Sequence, residues 1–322
     1  MRVAAAISCA GALLILSNQA AFAQNYPSKP VRMIVPFAAG GPVDLVAREM
    51  GRELEKSLGQ PFIIDNQGGG LGVAAMNSVA RAAPDGHTLF FGASGNITIQ
   101  PLADKNRSDV LKQLVPVGLV STSPHVLVVS AKLPVKSVQE LIDYARANPG
   151  KVNFGSAGIG GVAHLGMEMF KSMAGIEVTH VPYKGVSQAL TDMVSGEVQA
   201  MFSSMPSLKP MIDKGYIRAI GMTGPTQAAS ARHLPTIASA GVPGFEYNTW
   251  YALYSTIGTP PPVVEKLNAA LHRILADPVL ERKLEVQGVD LQSSSTAELV
   301  ARMRQDTQKW EKIIREGNIR LE

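Results

Sequence analysis

The stretch that decides the fold is IVPFAAGGPVDLVAREM, Ile34 to Met50. It passes from an apolar, β-branched segment through a small, Gly-rich elbow into a segment with apolar residues at helical spacing, so a strand ends here and a helix begins. An elbow of this kind presents backbone N–H groups that have no intrahelical partner, together with the positive end of the helix dipole. Small residues let a ligand come close to that backbone, and the place suits an anion such as a carboxylate or a phosphate. The phosphate fingerprints are missing. Pro36 to Asp44 contains neither G-x-G-x-x-G nor a G-K-[ST] ending, and no acidic residue is placed as a ribose contact. Asp44 falls in the first turn of the helix, where a carboxylate either serves as an ordinary helix-start group or orients the elbow.

The same device recurs roughly 120 residues further on, in what reads as a separate α/β unit. VNFGSAGIGG, from Val152 to Gly161, is again strand, Gly/Ala/Ser elbow and helix, and Gly155 to Gly161 also fails both phosphate patterns. Two such elbows can face each other across a cleft. His164 lies in the first turn of the second helix, either as an ordinary hydrogen-bonding histidine or as a cleft-lining one. Two other strand ends carry polar tips: FFGASGN offers Ser94 and Asn96, and HVPYKGVSQAL offers Tyr183 and Lys184. Tyr183 suits the wall of a ligand cleft. Lys184 can pair with an anion, although an exposed lysine at a helix start is usually solvated.

Working outward, short Val- and Ile-rich runs alternate with longer periodic segments. This is the pattern of α/β proteins with mostly parallel sheets flanked by helices. Strands are expected at Val31–Pro36, Phe62–Asn66, Thr88–Gly92, Val115–Val120, His125–Val129, Val152–Gly155, Val178–Pro182, Val198–Phe202 and Ile217–Met222. Helices are expected at Val43–Leu58, Val73–Ala82, Val138–Asn148, Gly161–Met173 and Ser187–Ser195. Three amphipathic helices follow at Pro262–Ala276, Pro278–Gln287 and Thr296–Glu316. Ser137 with Glu140 and Ser295 with Glu298 have the spacing of capping boxes. Pro and Gly cluster at Thr223–Pro225, Gly241–Gly244 and Gly258–Pro261, which read as crossings and loops.

The N-terminus reads as a secretory signal peptide, residues 1–23, with Arg2, an apolar run from Val3 to Leu16 and Ala21-Phe22-Ala23 as the cleavage site. The mature chain is then expected to begin at Gln24 in the periplasm. Cys9, the one cysteine of the chain, falls inside the signal, so the mature protein needs no disulfide. With 46% hydrophobic residues in 322, there is enough to bury two cores. The net charge of +4 is spread along amphipathic segments and interleaved with acids, which argues against nucleic acid as a partner. Catalysis finds little support. There is no G-x-S-x-G elbow, no H-E-x-x-H and no cysteine nucleophile, and the six histidines show no metal spacing. Ser156 and His164 form a conceivable hydrolase pair without a third member. No enzyme activity, metal or cofactor is expected.

Together, YPSKPVRMIVPFAAGGPVDLVAR, AAPDGHTLFFGASGN, the segment from LPVKSVQEL to THVPYKG, and GTPPPVVEKLN resemble the substrate-binding receptors of tripartite tricarboxylate transporters, the Bug-type periplasmic receptors. The likeness is colinear over nearly the whole mature chain. It implies a two-domain periplasmic binding protein of Venus-flytrap type, with domain I from 24–121 and 223–322 and domain II from 122–222, and a small carboxylate held between them. It implies that Pro36, Phe37, Ala38, Ala39, Gly40 and Gly41 form one ligand loop with Asp44 at its helix start. Ser156, Ala157, Gly158, Gly160 and His164 form the facing loop, supported by Ser94, Tyr183 and Lys184. Membrane transporter subunits or a sensor are the implied partners of a monomeric receptor. Three features depart from the family pattern. Met201-Phe202-Ser203 places a hydroxyl where the family often has Asp, which disfavours a ligand with an amino group at that end. DNQGGGLG replaces the usual Asn-Arg-Pro-Gly pattern at Asn66 to Gly69, and QPLADKNRSDVLKQLVPV is unlike the usual aromatic-containing connector.

Overall fold

The computed structural model describes residues 26–68, 72–103, 105–225 and 231–321; the expected signal peptide with Cys9 and Gln24 lies outside the described residues. In chain order the elements are β1 (Val31–Val35), α1 (Pro42–Leu58), β2 (Phe62–Asn66), α2 (Val73–Ala80), β3 (Thr88–Ala93), α3 (Ser94–Thr98), α4 (Lys105–Leu111) and β4 (Leu114–Ser130). Next come α5 (Val138–Ala147), β5 (Asn153–Ser156), α6 (Val162–Ala174), β6 (Thr179–Pro182), α7 (Val186–Ser195), β7 (Ala200–Ser204), α8 (Met205–Asp213) and β8 (Ile217–Met222). The chain closes with β9 (Asn248–Thr256), α9 (Pro261–Leu275), α10 (Pro278–Glu285), β10 (Asp290–Leu291) and α11 (Thr296–Glu316).

The strands run in the order β2-β1-β3-β9-β4-β7-β5-β6. At one end β1 is parallel to both β2 and β3, and at the other β5 is parallel to both β6 and β7. These parallel wings are the two βα units whose elbows drew attention in the sequence. Between them lie antiparallel pairings that the hydrophobic pattern did not expose. β4 pairs with β9 from Leu114 to Pro124, then with β7 and β8 from His125 onward, so a single 17-residue strand serves both halves. Sequence reading divided it into two strands at the polar run Ser121–Pro124. Ser121 and Ser123 are nevertheless buried, and the strand continues through them, bent by register shifts at Pro116/Gly118, Leu119/Ser121 and Leu127/Val128.

Five other elements were absent from the sequence reading: the short α3, α4 and β10, and the longer β9 and α8. β9, NTWYALYST, has the aromatic and β-branched content of a strand and is the second element that joins the halves. α8 carries Pro206 and Pro210; Pro206 sits in the first turn, where no N–H is needed. Of the two expected capping boxes, Ser295 and Glu298 form the reciprocal pair. Ser137 caps the Glu140 N–H at 3.1 Å, but the Glu140 carboxylate accepts from the Lys136 N–H at 2.8 Å instead of returning to Ser137.

Because successive strand residues point to opposite faces, each half buries apolar side chains on both. In the first half Met33 and Val35 pack with Val46, Met50, Leu267 and Leu271, while Ile34 and Phe90 pack with Trp250, Tyr254 and Leu299. In the second half Leu127 and Val129 pack with Phe154, Phe170 and Phe202, while Val126 and Val128 pack with Leu190, Met201 and Met222. Each fully buried side chain of this size contributes about 1.5–3 kcal/mol. α11 spans the two: Leu299 belongs to the first half's core, and Trp310 packs edge-on to Tyr247 in the second, ring centres 5.9 Å apart.

Candidate functional site

The two elbows are built to one plan. After β1, Gly40 takes φ +85°, Gly41 is the extended N-cap of α1, and the Leu45 N–H donates to the Gly41 carbonyl at 3.0 Å. After β5, Gly160 takes φ +71°, Gly161 is the extended N-cap of α6, and the Leu165 N–H donates to the Gly161 carbonyl at 3.0 Å. The left-handed conformation at Gly40 and Gly160 is one that a residue with a Cβ avoids. In each elbow the side chain four residues beyond that glycine accepts its N–H. The Gly40 N–H donates to Asp44 Oδ2 at 2.8 Å, and the Gly160 N–H donates to His164 Nδ1 at 3.1 Å.

The anchors differ in charge. Asp44 is 2% exposed and also accepts from Arg48 Nε and Asn66 Nδ2, both at 2.9 Å. Asn66, at the end of β2, donates as well to the Phe37 carbonyl at 3.1 Å, so one network holds strand end, elbow and helix start. Burial opposes the charge on Asp44, but the bonds from Arg48, Gly40 and Asn66 outweigh it and hold the carboxyl below its usual range. Asp44 therefore positions the elbow and does not line the cleft. The Glu168 carboxylate acts on His164 only through space, and the ring has no hydrogen-bonded counter-charge. Burial lowers its pKa, and the Gly160 N–H on Nδ1 places the proton of the neutral ring on Nε2. Its ring stacks on His180 with centres 3.9 Å apart, and His180 stacks on Phe154 at 4.6 Å. Burial, with the neighbouring His164 and Lys171, pushes His180 down to about 4. Ser156 Oγ lies 2.7 Å from His180 Nε2 and accepts the Gly158 N–H at 3.2 Å. Ser156 thus meets His180, not the His164 of the sequence reading.

Between the elbows lie two adjoining chambers of about 930 and 290 Å³, which share Ala157, Gly161, Val162, Thr249 and Tyr251. Pro36, Phe37, Ala38 and Gly160 line the larger one; Ser156, Gly158, His164 and Ser203 line the smaller. Other expected site residues stand back. Ala39, Gly40 and Gly41 form the outer turn of the first elbow, and Ser94 is buried behind the wall, accepting the Trp250 N–H at 3.4 Å. Tyr183 turns its hydroxyl onto Asp192 at 2.6 Å, and burial, reinforced by that bond, pushes the phenol up to about 12. Lys184 is exposed, and its backbone N–H donates to Gln188 at 3.3 Å. Neither Tyr183 nor Lys184 lines either chamber.

The sequence reading missed the residues supplied by the crossing strands. Thr249 and Tyr251 lie two apart on β9 and so share a face, a signal that becomes readable only once β9 is recognised as a strand. His125, where β4 passes between halves, sits between Tyr247 Oη at 3.2 Å and Thr249 Oγ1 at 3.1 Å, and burial lowers it to about 4. The Gly-rich departure after Asn66 also finds a steric reason. A Cβ on Gly68 would come 3.0 Å from the Ala38 nitrogen, and one on Gly72 would come 2.9 Å from Pro36 Cβ. Gly69 to Leu71 lie outside the described residues. Among the described residues lining the two chambers there is no Lys, Arg, Asp or Glu.

A cleft between two α/β halves, crossed by two strands and floored by paired helix-opening elbows, defines a solute-binding protein of the periplasmic binding protein type. The comparisons agree and narrow the class. Residues 46–319 match the family model described as tripartite tricarboxylate transporter family receptor, and the chain belongs to that family. It is 32% identical over 304 residues to protein BugT of Bordetella pertussis, covering 93% of this chain and 92% of that one. A Rhodopseudomonas palustris protein, Rpa4515, solved with adipate, superposes with a TM-score of 0.81 at 34% identity, covering 91% of this chain and 99% of that one. MatC from Rhodopseudomonas palustris, solved with bound malate, gives 0.73 at 30% identity, covering 90% of this chain and all of that one, 100%.

Proposed function

We propose that the chain is an exported receptor that captures a small carboxylate-bearing ligand between its two halves and delivers it to the membrane subunits of a tripartite tricarboxylate-type transporter. The observation that carries this reading is the matched pair of elbows opening on one cavity, with Ala38 from the first and Ala157 from the second both on the wall of the larger chamber. The N–H groups of Ala38 and Ala157 have no hydrogen-bond partner among the described residues. Each stands one turn from a helix N-terminus, where a carboxylate is stabilised without a cation. The adipate and malate of the similar structures support the same ligand class.

In this reading residues 24–121 and 223–322 form one domain, 122–222 the other, and they close about the two crossing strands. Micromolar affinity corresponds to about 8 kcal/mol. Hydrogen bonds to a charged group contribute about 1.5–3 kcal/mol each. One elbow alone falls short, so ligand and closure are coupled and the ligand biases the receptor toward its closed form. The receptor works as a monomer in the periplasm after removal of residues 1–23, without metal, cofactor or chemical turnover.

A hydrolase is the competing reading, favoured by one contact, the 2.7 Å approach of Ser156 Oγ to His180 Nε2. No carboxylate hydrogen-bonds either His180 or His164 among the described residues, which leaves the pair without the orienting third group of a triad. Incubating the mature protein with a panel of mono-, di- and tricarboxylates, and following both thermal shift and chemical change, separates the two. Stabilisation by a carboxylate that is recovered intact is the expected result. Product formation would favour the hydrolase, and no shift with any carboxylate would defeat the receptor reading.

A further inference from the structure

Where the two halves join, three polar side chains stand in line behind the cleft. Tyr247 Oη lies 3.2 Å from His125 Nδ1, and His125 Nε2 lies 3.1 Å from Thr249 Oγ1. Of the three, Thr249 borders both chambers, as Ala157 of the second elbow also does; His125 borders the smaller one, and Tyr247 borders neither. The imidazole is held in place by its own backbone. The His125 N–H donates to Thr223 Oγ1 at 2.9 Å, the Thr223 N–H donates to the His125 carbonyl at 2.9 Å, and the Tyr247 N–H donates to the Thr223 carbonyl at 3.1 Å. The Tyr247 ring meets the imidazole edge-on, centres 5.4 Å apart.

Each hydroxyl can donate or accept, and a neutral imidazole has one nitrogen of each kind, so the line can run in either direction. Tyr247 decides which. It is 2% exposed and enclosed by Phe202, Phe245 and Trp310, and a Cβ on Gly166 of α6 would come 2.7 Å from its Oη. Burial raises the phenol pKa well above its ordinary value, so the proton stays on, and its one acceptor among the described residues is His125 Nδ1. An orphaned buried donor is costly and rarer than an under-used acceptor. Tyr247 therefore donates to Nδ1, the ring carries its proton on Nε2, and that N–H donates to Thr249 Oγ1. The Thr249 hydroxyl has no other partner among the described residues, so its own proton faces the space it borders.

We propose that His125 is a positioning residue for ligand capture: directed by Tyr247, its Nε2–H turns Thr249 into a hydrogen-bond donor to the bound carboxylate. This rests on the carboxylate reading of the cleft. The opposite tautomer would take the Thr249 proton onto the ring and turn hydroxyl lone pairs toward the same anion. A bond from a hydroxyl to a carboxylate is of the stronger, charge-assisted class, and polarisation along the line strengthens it further.

Two measurements test the relay. In nitrogen-15 NMR of the histidine-labelled mature protein at neutral pH, the His125 ring, assigned by its loss in His125→Gln, should carry its proton on Nε2. In calorimetric titration with acetate, succinate, adipate, benzoate and citrate, affinity for the tightest binder should fall tenfold or more in Thr249→Val and stay within threefold in Thr249→Ser. Tyr247→Phe removes one oxygen that borders neither chamber. It should weaken the same ligand at least threefold in the wild-type background and less than twofold on top of Thr249→Val, a coupling that a purely structural role of Tyr247 would not produce. A proton on Nδ1, full affinity in Thr249→Val, or an equal Tyr247→Phe loss in both backgrounds overturns the relay and leaves the receptor reading intact. If the wild type binds none of these carboxylates, the receptor reading and the donor role of Thr249 fail together.

Discussion

The first elbow is anchored by a charge and the second by a neutral ring. Asp44 sits in a closed network with Arg48, Asn66 and Gly40, whereas His164 holds Gly160 alone and leans on a stack of His180 and Phe154. The two glycines also differ in surroundings. A Cβ on Gly40 would meet nothing within 4 Å, while one on Gly160 would lie 3.2 Å from Leu321 Cδ2, in the segment that follows α11. One backbone geometry is thus reached by two chemistries. The charge of the anionic anchor is balanced by Arg48 and by the donors of Gly40 and Asn66, whereas a neutral anchor needs no such balance.

The largest break in this symmetry should come from Asp44→Ala. It leaves the Gly40 N–H, Arg48 and Asn66 without their shared acceptor, and urea unfolding should show a loss of about 3 kcal/mol together with a large fall in ligand affinity. His164→Ala removes a single neutral bond plus ring packing and should cost less, about 1–2 kcal/mol, with His164→Asn close to wild type because its amide oxygen can still accept from Gly160. A His164→Ala variant as unstable as Asp44→Ala would erase the distinction.

Glycine substitution sharpens the same contrast. Gly40→Ala and Gly160→Ala both force a Cβ into the left-handed region, at about 1–2 kcal/mol each. Gly160→Ala should be the worse of the two because Leu321 must also shift; equal chemical-denaturation midpoints would show that the tail gives way freely.

Acid should part the elbows without mutation. His164, His180 and His125 all have folded-state pKa values lowered below the ordinary histidine value, to about 4 for the last two. A group that binds its proton more weakly when folded contributes stability that is complete above its unfolded pKa, about 6.5, and is lost as pH falls toward the folded value. Urea midpoints should therefore hold down to about pH 6.5 and decline between there and about pH 4. Asp44, lowered from 3.8, begins to contribute its own loss only in more acidic solution. A midpoint unchanged from pH 7 to pH 4 would contradict burial of neutral rings. The smallest effect belongs to Lys184→Ala, which should change ligand affinity less than about twofold in titration, since its exposed side chain pairs with nothing that forms the cleft.

Much of the first elbow was legible because its determinants are local. The strand end, the small residues, the left-handed glycine and the first-turn carboxylate all lie within Ile34 to Met50. His164 was legible for the same reason of spacing. Tyr183 and Lys184 were drawn toward the site by their place at a strand end, but Tyr183 prefers Asp192 and Lys184 prefers water, choices that strand position does not reveal. His125, Thr249 and Tyr251 were missed because the strands carrying them are polar in the middle or flanked by Gly and Pro, and their partners are more than a hundred residues away in sequence.

The sequence by itself determined the wings. Alternating strands and helices, two elbows of the same composition and the absence of phosphate fingerprints are local or periodic properties, and local physics reads them directly. Tertiary structure decided what those wings enclose. The run of β4 through both halves, the antiparallel bridge of β9, the pairing of Ser156 with His180, and the seat of His125 between Tyr247 and Thr249 all depend on which distant segments meet. Contacts of that kind are chosen by packing over the whole chain, and no single window of residues encodes them.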